Sequence, residues 1–326
     1  MSYRLGFAVK VLGDGGLPSH DTRRWQSGPH LSVSLERLGM IFDYLEAKDV
    51  RMYRMASDLV PYGSHPEMDR FHGQVEECGA ALAALGARAR AADLRLSFHP
   101  GQYAVLNSED EGVRAAAAAD VELQASVLEA MGLGAEAVVV LHVGGVGGDK
   151  AAAIDRFRVG FEGLSEMAQA RLVIENDDGR FGLGDVLGLS ERSGLRVVWD
   201  VLHHRCYDPD RIPVAEALEQ ALATWPAGQI PKIHYSSPRT AIEERKTKKG
   251  RRVERRAVLP PLRAHADLID PIGFEDFLRG PAAGRNFDLM LEAKAKDLAL
   301  LRLRKQLEER GFDWRDGRIE PACCTS

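Results

Sequence analysis

Short runs rich in apolar and β-branched residues alternate eight times with helical stretches along this chain, and nothing else in it limits the fold as tightly. The runs are Tyr3–Val9, Val50–Met55, Leu94–His99, Ala137–Val143, Leu172–Asn176, Val197–Val201, Lys232–Ser236 and Phe287–Glu292. Several, such as Val138-Val139-Val140-Leu141, are apolar without interruption, which suits strands covered on both faces in a parallel sheet. Between them, Ser34–Lys48 sets Leu35, Leu38, Ile41, Phe42 and Leu45 on one helical stripe. Asp69–Ala91 and Val113–Gly132 are rich in Ala and Glu, both strong helix formers. Gly148–Ala168, Leu183–Ser193, Val214–Thr224, Phe274–Arg279 and Ala295–Arg310 complete the helical set. Eight strand-then-helix units predict an α/β chain folded as a TIM (β/α)8 barrel, with a doubly wound open sheet as the rival. The expected division is one barrel domain over 1–310 and a C-terminal tail over 311–326.

A length of 326 residues, 45% of them hydrophobic, supplies the core such a barrel needs. Two segments break the rhythm. Gly13–Leu31 is a long first loop, and Pro238–Ala266 is an insertion after strand seven whose Glu243–Arg256 portion is dense in Arg and Lys. Loops of this length in a compact barrel are usually functional or disordered. No stretch approaches the roughly 18 apolar residues of a membrane helix, so no membrane partner is expected. The N-terminus reads as a strand and not a signal peptide. Cys78, Cys206, Cys323 and Cys324 are too few and too irregular for a disulfide framework, which favours a reducing cytoplasm. A net charge of −5 means that any nucleic-acid contact must rest on local clusters of cations.

The chemistry-bearing residues share one position. Of ten histidines, six fall at or just beyond strand ends: His65, His99, His142, His203, His234 and His265. Glu175, Asp200 and Glu292 end three further runs. The C-terminal strand ends of a barrel ring one face, so these residues would converge although they are distant in sequence. Imidazole nitrogens with carboxylate oxygens suit Zn²⁺, Mn²⁺ or Fe²⁺, and the set is too large for one ion. Clustered cations are a standard device for phosphodiester hydrolysis. A lone strand-end histidine is more often structural, and a buried acid is usually paired with Arg or Lys. Structural need does not explain why all nine gather at one end.

Local elements sharpen this reading. Asp200-Val201-Leu202-His203 puts an acid and an imidazole within reach of one ion, whereas His204 points elsewhere. Lys232 shares a strand face with His234. Near cations its ammonium must be neutral, modified or aimed at substrate phosphate; the alternative is a side chain that snorkels to water. After His99, Pro100-Gly101 turns the chain and presents Gln102 and Tyr103, a pair that can wedge into a weakened base stack unless Tyr103 packs beneath its own loop. His142-Val143-Gly144-Gly145 continues into a glycine-rich stretch that matches no nucleotide fingerprint, so no nucleotide cofactor is expected and a tight turn is the simpler account. The basic run from Arg245 through Lys248, Lys249, Arg251 and Arg252 to Arg256 is a backbone-binding candidate, set against the usual fate of charge runs, a solvated hairpin.

As an ordered set, several stretches resemble the UV damage endonuclease family. They are Arg54-Met55-Ala56-Ser57-Asp58-Leu59 with His65, Leu96-Ser97-Phe98-His99-Pro100-Gly101-Gln102-Tyr103, Leu141-His142-Val143-Gly144-Gly145, Ile174-Glu175-Asn176-Asp177, Asp200-Val201-Leu202-His203-His204, Pro231-Lys232-Ile233-His234-Tyr235-Ser236-Ser237 and Met290-Leu291-Glu292-Ala293-Lys294. The resemblance runs from about Tyr3 to about Leu307. It implies a barrel related to endonuclease-IV-type enzymes and incision immediately 5′ to a UV photoproduct in double-stranded DNA, leaving a 3′-hydroxyl and a 5′-phosphate. It implies two to three divalent ions, commonly manganese with zinc as the alternative, held by His99, His142, Glu175, Asp200, His203, His234, His265 and Glu292. Lys232 matches a lysine that can be carboxylated; with Glu175 and His65, placed near the scissile phosphate, it completes the expected catalytic group. Gln102 and Tyr103 match the pair that fills the gap left by an extruded lesion. The sequence departs from the family around Gly6-Phe7-Ala8-Val9-Lys10-Val11, where many members carry a Tyr and then an Asn. Rival readings are a metal-dependent sugar isomerase or epimerase on the same barrel, and a non-catalytic damaged-DNA-binding or metal-storage scaffold. No obligate protein partner is evident.

Overall fold

A computed structural model describes residues 2–249 and 252–321. Eight strands run parallel: β1 (Tyr3–Ala8), β2 (Met52–Arg54), β3 (Arg95–Phe98), β4 (Val138–His142), β5 (Leu172–Glu175), β6 (Arg196–Val198), β7 (Lys232–Tyr235) and, after the insertion, β10 (Asp288–Leu291). The insertion forms a separate antiparallel hairpin, β8 (Glu243–Lys249) and β9 (Arg252–Val258), paired among the described residues only with itself. Parallel pairing proceeds in sequence order from β1 to β6, while β10 lies between β1 and β7. The two ends of this sheet meet at one parallel bridge between Asp200 and His234, where the His234 N–H donates to the Trp199 carbonyl at 3.0 Å.

Alternation along each strand divides the interior in two. Outward positions join the strands to the helices: Leu5, Phe7, Tyr53, Leu96, Phe98, Val139, Leu141, Ile174, Ile233, Tyr235, Leu289 and Leu291 all belong to the large apolar core. Inward positions carry a smaller valine cluster, Val138, Val140, Val173 and Val198 against Trp225, and at their ends the polar residues of interest. The start of the strands is closed by charge. Asp288, fully buried, pairs with Arg4 at 3.3 Å and Arg95 at 2.9 Å.

The helices form where expected, with local differences. The stretch expected as Gly148–Ala168 divides into Lys150–Glu162 and Glu166–Arg171, because the Ser165 hydroxyl accepts from the Ala168 N–H and starts a new helix. Asp69–Ala91 breaks at Gly73, whose φ of +77° no ordinary helical residue adopts, leaving Gly79–Ala91 as the main helix. In the glycine-rich stretch after β4, Gly144 has φ +110° and lies so close to Asn107 that a Cβ would collide with its side-chain oxygen. Asn107 also bonds Gly145 through both amide groups, so the glycines serve a tight turn. Residues 312–321, read from sequence as part of the tail, form β11 (Phe312–Arg315) and β12 (Arg318–Pro321), and β12 pairs antiparallel with β1. Cys323 and Cys324 lie outside the described residues. Among the described residues, no helix is long and apolar enough to cross a membrane.

Candidate metal centre

Inward positions at or just beyond the ends of β3 to β7 and β10 supply the site. Register sets His142 beside Glu175 and Asp200 beside His234, so neighbouring strands bring imidazoles and carboxylates into contact. Glu175, fully buried, is the hub. One carboxylate oxygen lies 3.1 Å from His99 Nε2 and 3.7 Å from His142 Nε2; the other lies 3.0 Å from His234 Nδ1 and 3.5 Å from His203 Nδ1. Glu292 completes the rim, 3.5 Å from His234 and 3.8 Å from His265, whose Nδ1 sits 2.8 Å from the Glu292 carbonyl.

Asp200 caps the short helix Val201–Cys206 by accepting from the His203 N–H at 2.7 Å, which fixes the acid and the imidazole relative to each other. Asn176 clasps the backbone of Asp200 with both amide groups, and the Asn176 carbonyl receives His203 Nδ1 at 3.0 Å.

Burial and charge compete throughout. Burial pushes the Glu175 carboxyl up, but His234, His142 and His99 outweigh it and hold it well below the usual carboxylate range. Asp200 is raised by its burial and by Glu175 and Glu292. Burial draws His203 down, yet Asp200, Glu175 and Glu292 carry it up to about 9. Burial lowers His99 to about 4 despite Glu175. Lys232 is fully buried and does not snorkel; its Nζ donates to Ser97 Oγ at 2.8 Å. Burial, then Arg54 and Arg95, drive its pKa well below the ordinary lysine value, so the neutral amine is favoured.

Three groups of donors lie within 4.8 Å of one another: His99, Glu175 and His234; His142, Glu175 and His203; Asp200, His234 and Glu292. The donor chemistry fits divalent metals. Three buried polar atoms here, His142 Nδ1, Asp200 Oδ2 and His234 Nε2, have no hydrogen-bond partner among the described residues, a costly arrangement that cations would relieve.

Other expected site residues stand apart. His65 lies in the loop after β2 and lines a cavity of about 740 Å³ with Tyr103; its hydrogen bonds are to its own loop, at Glu67 and His72, and not to Glu175. Gln102 is exposed and Tyr103 is 83% exposed, so Tyr103 is not packed beneath its loop. His204 bonds the Ile212 carbonyl and packs on Trp199, away from the cluster. Lys248 and Lys249 end β8 and Arg252 begins β9; Arg251 lies outside the described residues. Two supporting residues were not singled out from sequence. Arg54 holds Glu292 through a short ion pair, and Asn176 holds Asp200. Arg54 occupies the last inward position of β2, the kind of position that marks the candidate ligands on other strands, and strand parity alone would have found it.

Fold and site together define a class: a parallel α/β protein whose strand ends gather histidines and carboxylates that could hold metal ions. The family described as UV-endonuclease UvdE matches residues 31–313, and the chain belongs to it. A UV DNA damage endonuclease of Bacillus mycoides (strain KBAB4) is 31% identical over 272 residues, covering 83% of this chain and 79% of the relative. The crystal structure of SacUVDE superposes with a TM-score of 0.79 at 27% identity, covering 94% of this chain and 99% of that one. Endonuclease IV from Thermus thermophilus shares the fold, with a TM-score of 0.56 at 17% identity over 94% of this chain and 99% of that one.

Proposed function

We propose that this chain, a DNA repair endonuclease by family, incises the backbone immediately 5′ to UV photoproducts and leaves a 3′-hydroxyl and a 5′-phosphate. The observation that carries the reading is Glu175 set among four imidazoles, all within 3.7 Å, at one end of the strands. His99, His142, Glu175, Asp200, His203, His234, Glu292 and, through Glu292, His265 would hold two or three divalent ions, manganese first and zinc as the alternative. Ions bound there would supply Lewis acidity and offset charge on the phosphate. Lys232, as a neutral amine or a carboxylated one, adds no repelling charge beside them. His65 would meet the phosphate from the loop side, Gln102 and Tyr103 would enter the gap beside the lesion, and Lys248, Lys249, Arg251 and Arg252 would grip backbone. In this reading the Asp200–His234 bridge completes a TIM (β/α)8 barrel.

The test compares nicking of one duplex with and without a defined photoproduct, with Mn²⁺ or chelator, and with Glu175→Ala as control. Strand-specific cutting 5′ to the lesion, lost with chelator and in the variant, is expected. Equal cutting of undamaged duplex, or no cutting with any divalent metal, overturns the reading.

A further inference from the structure

The chain leaves β1 through a strained turn. The Lys10 N–H donates to the Ala8 carbonyl at 2.8 Å, which closes a three-residue γ-turn on Val9, and Val9 has φ +66°. A γ-turn of positive φ is rare, and a β-branched residue adopts it only where its surroundings compel it. Here the Val9 N–H donates to the Arg54 carbonyl at 2.8 Å, and the Val9 carbonyl accepts from the Tyr53 hydroxyl at 2.6 Å. Strain held in place by such bonds is concentrated at functional positions, and the residue this turn presents is Lys10, which is exposed.

The same loop is tied to the segment that follows Glu292. Asp297, buried in the first turn of the helix Lys296–Glu308, accepts from the Leu12 N–H at 2.8 Å, the Gly13 N–H at 2.9 Å and the Tyr44 hydroxyl at 2.7 Å. Its neighbour Lys296 is partly buried and also has positive φ, +51°. Burial and then the charge of Arg54 lower the Lys296 pKa; Glu292 acts in the opposite sense, and Lys10 adds to the lowering. Lys10, Lys296 and Arg54 therefore share one neighbourhood with Glu292. Arg54 is engaged by Glu292, whereas neither lysine side chain has a hydrogen bond or ion pair among the described residues. Three cations face one carboxylate beside the candidate ligands. Folding gains nothing from crowding like charges, but a polyanion arriving at this rim would be drawn to them.

We propose that Lys10 and Lys296 hold a backbone phosphate of the DNA adjoining the one to be cut, a positioning site that lays the reacting strand across the metal centre. This rests on the endonuclease reading above. Lysine suits the task, because a compact charge on a flexible stem meets a phosphate oxygen from many directions. Such a contact fixes register on the duplex and carries no sequence information, as an enzyme that must act at any lesion site requires. The strained turn at Val9 and the Asp297 tie hold the two lysines together although they are distant in the chain.

The experiment uses the full chain and a duplex with one photoproduct. Binding is measured in chelator, where nothing is cut, over a range of salt, for wild type, Lys10→Gln, Lys296→Gln and the double variant. Each phosphate flanking the incision point is also replaced, one at a time, by an uncharged methylphosphonate. The double variant is expected to bind about tenfold more weakly than wild type, with a slope of log affinity against log salt shallower by about one. A methylphosphonate at one flanking position should reproduce that loss in wild type and add nothing in the double variant. Thermal melting identifies any variant that does not fold, in which case Lys10→Gln, at an exposed position, carries the same comparison. Wild-type affinity in the folded variants, or methylphosphonate losses that add to theirs at every position, overturns the assignment while nicking by wild type with Mn²⁺ leaves the endonuclease intact. No nicking by wild type overturns the endonuclease reading and this inference with it.

Discussion

At the scale of single residues, the chemistry turns on how protons and charges are shared among Glu175, Asp200, Glu292 and the imidazoles around them. Burial alone would strip the proton from His203, but the three carboxylates outweigh it and hold its pKa up to about 9. That raised value stabilises the metal-free fold fully below the ordinary histidine pKa, and the contribution is lost as pH rises through 9. A cation bound by His203 must displace the proton, so metal affinity rises with pH until about 9. Calorimetric titration of Mn²⁺ near neutral pH, in two buffers of different ionisation enthalpy, is expected to show proton release. Heats that do not depend on the buffer would remove His203 from the ligand set. Asn176 touches no donor group of Asp200 yet clasps its backbone on both sides. Asn176→Ala is therefore expected to weaken Mn²⁺ binding about 10- to 100-fold, as losses behind a ligand usually do, while the protein stays folded. Unchanged affinity would show that the helix cap alone positions Asp200.

At the scale of elements, the proposed function gives one loop and one hairpin a part in meeting the substrate. Tyr103 is 83% exposed, so Tyr103→Ala should change stability by no more than about 0.5 kcal/mol. Its expected effect is a reduced ratio of cutting between damaged and undamaged duplex, measured side by side; an unchanged ratio would exclude a probing role. The hairpin β8–β9 is rooted where Pro238 bridges His265 and the Arg239 N–H meets the Ala264 carbonyl at 2.6 Å. Replacing residues 243–258 by a short turn is expected to raise KM and flatten the dependence of DNA binding on salt, because each lost phosphate contact removes released counterions. A salt slope identical to wild type would identify the hairpin as the merely solvated one that charge runs usually are.

At the scale of the whole molecule, the two ends of the strands are built on opposite terms. One end gathers the imidazoles and carboxylates suited to a cation, whereas the other closes on Asp288 paired with Arg4 and Arg95; buried polar atoms without a partner among the described residues occur at both, Arg4 Nε and Arg95 Nη2 included. Breaking such a buried network strands uncompensated charge, so Asp288→Ala should cost about 3–5 kcal/mol in denaturant unfolding. A loss under about 1 kcal/mol would mean that the arginines find water or other acids instead. The hairpin of residues 312–321 covers this same region: its Arg318 lies 3.6 Å from Asp93 and 3.8 Å from Asp288.

The eight strands, most helix ranges and the convergence of His99, His142, Glu175, Asp200, His203, His234 and Glu292 were legible in sequence. Each follows from a local rule, periodicity for the elements and strand parity for the inward face. Whether Lys232 is buried or snorkels, whether Tyr103 packs or projects, and where residues 312–321 go were decided by packing across elements remote in the chain. Arg54 reaches Glu292 across 238 residues, and Gln124 lines its cavity only because the loop after β2 folds over its helix. Chain order carries periodicity and residue chemistry, but burial and field are sums over neighbours in space, so pKa, exposure and pocket shape come into being only with the folded structure.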